Sequence, residues 1–152
     1  MPGIPKLLSA ARMAGLQLAV GSSSIRRFVT TSLERLFASI EWDFAPRHVF
    51  RAIVCGDDPG VAARKPAPDI YLRCARDLGV APSDCLVVED SASGIESARR
   101  AGIVRAVAIP NRYTHAHDFS RAYRVLGSAD EVLECISISG PGGFLPHPVP
   151  SG

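Results

Sequence analysis

Four short runs constrain the fold most: LQLAV at 16–20, RAIVC at 51–55, CLVV at 85–88 and RAVAI at 105–109. Each is apolar almost throughout, not on alternate positions only. A strand with one wet face alternates apolar and polar residues, whereas a strand covered on both faces does not. Between the runs the apolar residues recur with helical spacing, as with Tyr71, Cys74, Ala75 and Leu78 at i, i+3, i+4 and i+7. The pattern predicts strands Leu16–Val20, Arg51–Cys55, Cys85–Val88 and Arg105–Ile109. It predicts helices Ile4–Ala14, Ser24–Phe37, Asp69–Leu78, Ser93–Ala101 and Ala129–Ile136. Strand followed by helix, repeated, gives an α/β fold: a Rossmann-like parallel sheet of about four strands with helices on both faces.

A complete domain of 152 residues buries about 70% of its unfolded surface, so one core is expected. From Ser139 the chain reads SGPGGFLPHPVPSG, without periodicity. This divides it into a domain at 1–138 and a flexible Gly/Pro-rich tail at 139–152. A net charge of +2, with no basic run threaded by aromatics, argues against nucleic acid. No uncharged apolar stretch reaches the ~20 residues of a membrane span. Residues 1–33 carry Lys6, Arg12, Arg26 and Arg27 and no acid, as a transit peptide would, but cleavage there would remove the LQLAV strand. A cytoplasmic location is therefore expected. Cys55, Cys74, Cys85 and Cys135 lack C-x-x-C spacing and read as free thiols of a reducing compartment. His115 and His117 have no third ligand nearby and read as loop residues, not a zinc site.

In open α/β sheets ligands bind beyond the carboxyl ends of the strands. Three loops there carry chemistry. In AVGSSS, Gly21 permits a tight turn, and Ser22, Ser23 and Ser24 offer hydroxyls and amides at a helix start, a setting that receives anions. Ser24 also fits as a plain N-cap. In ARKPAPDIY, Lys65 is held extended by Pro66, while Pro68 suits a first helical position and Asp69 the first turn. Such a lysine is a point charge for phosphate, where a loosely placed one would be merely solvated. In VVEDSASGIE, Glu89 and Asp90 close a strand just before a capping box of Ser93 and Glu96. Adjacent carboxylates on a rigid edge suit Mg²⁺, although an acidic turn alone would look similar.

Taken in order, the serine turn, K-P-x-P-D and V-V-E-D-S-x-x-G-I resemble the haloacid dehalogenase-like hydrolase superfamily, in its β-phosphoglucomutase-like phosphatase branch. The resemblance runs from Pro2 to Ile136. It implies Mg²⁺-dependent phosphoryl transfer on a small phosphomonoester, a sugar phosphate above all. Ser22 would bind the phosphoryl group with help from the Ser23 amide, and Lys65 would neutralise it. Asp90 would ligate Mg²⁺ directly, and Glu89 directly or through water. Neither G-x-G-x-x-G nor G-x-x-x-x-G-K-[ST] occurs, which excludes the usual nucleotide-binding loops. A receiver domain would place its acids first and its lysine late, the reverse of this order.

The same resemblance raises a conflict, because the family attacks phosphorus with the first aspartate of a D-x-D pair and none occurs here. Residues 1–20 resemble the segment that follows the family's cap domain. The family's central first strand, which lies between the counterparts of Leu16–Val20 and Cys85–Val88, is then missing from this sequence. The expectation is a fragment of such an enzyme, inactive by itself, with exposed strand edges that favour self-association. The alternative is a non-catalytic phosphate-binding or interaction domain derived from that fold.

Overall fold

The computed structural model describes residues 3–40 and 45–137. The segment expected as a tail, 139–152, lies outside the described residues. The first helix, α1 (Ile4–Met13), carries Pro5 in its opening turn, where a missing N–H costs nothing. Strand β1 (Ala19–Gly21) follows, then α2 (Arg26–Ser39), the short α3 (Pro46–Val49) and β2 (Ala52–Val54). Next come α4 (Asp69–Leu78), β3 (Leu86–Glu89), α5 (Ala92–Arg100) and β4 (Arg105–Ala108). The last elements are β5 (Arg124–Val125) and α6 (Ala129–Ser137).

All pairings are parallel, as the unbroken apolar runs require. Ala19 lies opposite Ala52 and Gly21 opposite Val54 in β1–β2. Leu86 lies opposite Arg105 in β3–β4, and Val107 opposite Arg124 in β4–β5. The strands form two sheets, β1-β2 and β3-β4-β5. Among the described residues no ladder joins β1 to β3.

The faces explain why the runs do not alternate. Ala106 and Ala108 of β4 pack with Val87, Ile95, Ala98 and Tyr71 on the side of α4 and α5. Val107 and Ile109 pack with Leu7, Leu126 and Val132 on the side of α1 and α6. Ile95, Val107 and Val132 are fully buried, and each such side chain contributes about 1.5–3 kcal/mol relative to exposure. In the other half, Phe37, Val49 and Phe50 cover one face of β1-β2, and Val54, Ile70 and Cys74 the other.

Several local expectations are corrected. Helix α2 does not start on Ser24: Ile25 holds the cap position, and the Asp57 carboxylate takes the Arg26 N–H at 2.7 Å instead. Helix α5 starts at Ala92, so its cap is Ser91, whose hydroxyl accepts the Gly94 N–H at 3.1 Å, and not Ser93. Glu96 is thereby freed to bind Arg99 and Arg100. Pro68 sits at the cap of α4, with Asp69 the first helical residue. Helix α3 and the two-residue β5, both of whose residues are exposed, have no apolar period to announce them. Cys55, Cys74 and Cys85 are free thiols, and burial raises all three above the ordinary thiol value, Cys74 to about 12. No helix of the described residues is long and apolar enough to cross a membrane.

Candidate active site

The three loops meet at one rim. At the end of β1, the Ser22 N–H donates to the Val54 carbonyl at 2.9 Å, and the Ser22 hydroxyl accepts the Ser24 N–H at 3.1 Å. This fixes the serine turn against the loop after β2. Gly56 is needed there: a Cβ would lie 2.3 Å from the Ser23 carbonyl oxygen. The second loop joins through Lys65, whose N–H donates to the Ser23 hydroxyl at 3.3 Å. Its peptide bond to Pro66 is cis.

Lys65 turns its ammonium inward, with its side chain 9% exposed. Nζ donates to the Gly21 carbonyl at 2.9 Å, to the Tyr71 hydroxyl at 3.0 Å and to Oε1 of Glu89. The Tyr71 hydroxyl in turn donates to the same Glu89 oxygen. Glu89 Oε2 accepts from the Ser91 hydroxyl at 3.1 Å and from the Asp90 N–H at 3.3 Å. The carboxylate is thus bonded on both oxygens. A Cβ on Gly94 would lie 2.0 Å from it, so glycine alone lets the first turn of α5 close over this group. Burial first, and the Glu89 charge second, push the Tyr71 hydroxyl well above its ordinary value, which keeps it a donor. One buried ion pair therefore ties the end of β1 to the end of β3.

Asp90 lies next to this pair but faces outward in part. Its Oδ2 accepts from Asn111 Nδ2 at 2.7 Å. Asn111 is fixed by its own turn, taking the Tyr113 N–H at 2.8 Å on its side-chain oxygen. The H-x-H pair is split: His117 meets the Ala92 N–H at 3.5 Å, and His115 the Arg112 carbonyl at 2.9 Å. Asp57 and Asp58 follow β2. They hold Arg26, and the Arg26 guanidinium at 2.5 Å keeps the Asp58 carboxyl below its ordinary value.

With this geometry in place, likeness to known proteins decides the family. The family model for haloacid dehalogenase-like hydrolases matches residues 1–102. The chain belongs to the haloacid dehalogenase-like hydrolase family. It is 40% identical over 122 residues to Protein CbbY of Rhodobacter capsulatus, covering 80% of this chain and 50% of that protein. A structure of mutant CbbY from Rhodobacter sphaeroides, in complex with xylulose-1,5-bisphosphate, superposes with a TM-score of 0.74 at 35% identity. It covers 86% of this chain and 54% of its own. A putative β-phosphoglucomutase from Thermotoga maritima gives a TM-score of 0.71 at 28% identity, covering 91% of this chain and 60% of its own. The branch is the β-phosphoglucomutase-like one. The chain spans about half the length of the curated relatives it matches.

For a haloacid dehalogenase-like rim, the donor chemistry fits a hard cation in one way. Among the described residues no three His, Cys, Asp or Glu side chains form a cage, so water and substrate oxygens would complete the shell. The second oxygen of Asp90 takes no hydrogen bond among the described residues, whereas both oxygens of Glu89 are bonded. Asp90 suits direct ligation, and Glu89 a contact through water. Two further residues of the rim carry no motif that announces them. Tyr71 reads as part of the apolar stripe of α4, where only its hydroxyl hinted at a polar partner. Asn111 belongs to no motif, although it follows β4 at the carboxyl end, where ligand loops gather.

Proposed function

We propose that these residues form the phosphate- and cation-binding side of a Mg²⁺-dependent phosphohydrolase acting on a small sugar phosphate. The observation that carries it is the convergence on Lys65 of the Ser23 hydroxyl, the Gly21 carbonyl and Glu89, with Asp90 the next residue. The ligand of the Rhodobacter sphaeroides relative supports the substrate class. In this reading the Ser22 hydroxyl and the Ser23 amide bind phosphoryl oxygens, and Lys65 neutralises their charge. Asp90 takes the cation, which supplies electrostatic stabilisation of the transferring group. Glu89 holds Lys65 in place and touches the cation through water. Asn111 aims the Asp90 carboxylate.

The 152 residues contain no D-x-D pair, so hydrolysis by them alone is expected to be absent. Binding is then the readout. Calorimetric titration with inorganic phosphate should give heat in the presence of Mg²⁺ and little without it. Asp90→Asn should abolish the Mg²⁺ requirement together with the binding. Phosphate binding unchanged in Asp90→Asn and Lys65→Ala would overturn the assignment. Turnover of a simple phosphomonoester, lost in Lys65→Ala, would show instead that the chain holds a nucleophile outside any D-x-D pair.

A further inference from the structure

Charge is nearly balanced over the whole chain, with 17 Lys and Arg against 15 Asp and Glu, yet one cavity gathers a single sign. It measures about 610 Å³, and Arg12, Arg47, His48 and Arg51 line it, with no carboxylate among its walls. They come from separate segments: Arg12 from the last turn of α1, Arg47 and His48 from α3, and Arg51 from the residue before β2. The Arg47 guanidinium and the His48 ring make no hydrogen bond or ion pair with any described residue. The Arg51 guanidinium meets a neutral partner, the Asp77 carbonyl at 3.4 Å. The Asp77 carboxylate is itself taken by Arg73 at 2.7 Å and Arg76 at 3.5 Å, so it does not neutralise Arg51. A concave surface lined by one sign of charge raises the local concentration of the opposite ion.

We propose that this cavity binds a polyphosphate chain, either inorganic or carried by a nucleoside, at the end of β1 and β2 opposite the rim. Guanidinium groups match phosphate oxygens in pairs, and three arginines around one space suit charge spread over several phosphates better than a single one. The volume lies within the range of about 300–1,000 Å³ usual for small-molecule sites. Leu16, 43% exposed, lines the same space and offers an apolar contact to a nucleoside. The site is distinct from the rim. Leu18 and Arg51 stand just before β1 and β2, whereas the serine turn follows β1. The three residues of β1 separate the two by about 10 Å at about 3.3 Å per residue. The proposal does not depend on the rim's chemistry and is tested without Mg²⁺.

The protein would be titrated with inorganic tripolyphosphate and, separately, with ATP, a chelator being present throughout, and binding followed by calorimetry and amide chemical shifts. Saturable binding is expected, with shifts at Leu16–Leu18 and Arg47–Arg51. ATP binding about tenfold tighter than tripolyphosphate would identify a nucleoside as the carrier, and equal affinity the bare chain. Arg47→Gln changes a side chain on which the fold does not lean and should weaken binding about tenfold, while Arg47→Lys should keep most of it. Four results would overturn the proposal. Neither probe saturates; shifts fall on Gly21–Ser24 and Lys65 instead; sulfate at equal ionic strength displaces the probes as well as they displace each other; or Arg47→Gln and Arg51→Gln, both folded, bind as the wild type does.

Discussion

Strands β4 and β1 are both short, apolar and parallel, yet they live differently. In β4 three of four residues are buried, Ala106 and Ala108 against one helical layer and Val107 against the other. In β1 none of the three residues is more than partly buried, and one of its edges borders a cavity. The three-stranded sheet is held by its own core. The two-stranded sheet is held to it by helices and by a buried cluster of charge at the rim. The lysine proposed to meet an anion is thus also the tie between the halves.

The sharpest way to break this contrast is Lys65→Met. Leaving Glu89 buried without its cation should cost about 3–5 kcal/mol in urea unfolding. Amides of β1 and β2 should lose protection before those of β4. The double variant Lys65→Met with Glu89→Gln should recover much of the loss; a double variant as unstable as the sum of the singles would deny the coupling. Tyr71→Phe removes one hydrogen bond to the same carboxylate and should cost about 1.5–3 kcal/mol, again seen first in β1 and β2. An equal loss of protection in both sheets would erase the distinction.

Smaller effects test the loop after β2. Because Arg26 lowers the folded value of Asp58, this pair adds stability in full above the ordinary carboxylate value of about 4. The contribution disappears as the pH falls through the lower folded value. The melting temperatures of the wild type and Asp58→Asn should therefore converge on acidification; a constant difference would contradict the pairing. Smallest of all is Glu96→Gln. Although Arg99 and then Arg100 hold Glu96 at about 2, this cluster lies at the solvent boundary of α5. No resolvable change in urea midpoint is expected, and a clear loss would move weight from core to surface.

The fold was legible because burial on both faces writes itself as unbroken apolar runs; CLVV and RAVAI pair in parallel in the sheet. Short elements without a period were not legible, as β5 and α3 show. Caps were misread where a distant side chain did the work, since nothing near Arg26 in sequence names Asp57 as its partner. At the rim, residue types and order singled out Ser22, Ser23, Lys65, Glu89 and Asp90, and the structure brings Ser23, Lys65 and Glu89 into one hydrogen-bonded group with Asp90 the next residue. What sequence could not supply was direction. Lys65 bonds inward to Glu89, Asp90 leans on Asn111, and only packing decides which carboxylate is enclosed.

Replacing Mg²⁺ by paramagnetic Mn²⁺ in the presence of phosphate, and following amide line widths, tests the convergence of the three loops most directly. Selective broadening at Gly21–Ser24, Lys65, Glu89–Ser91 and Asn111 is the predicted result. Broadening confined to His115 and His117, or spread without preference over the surface acids, would contradict it.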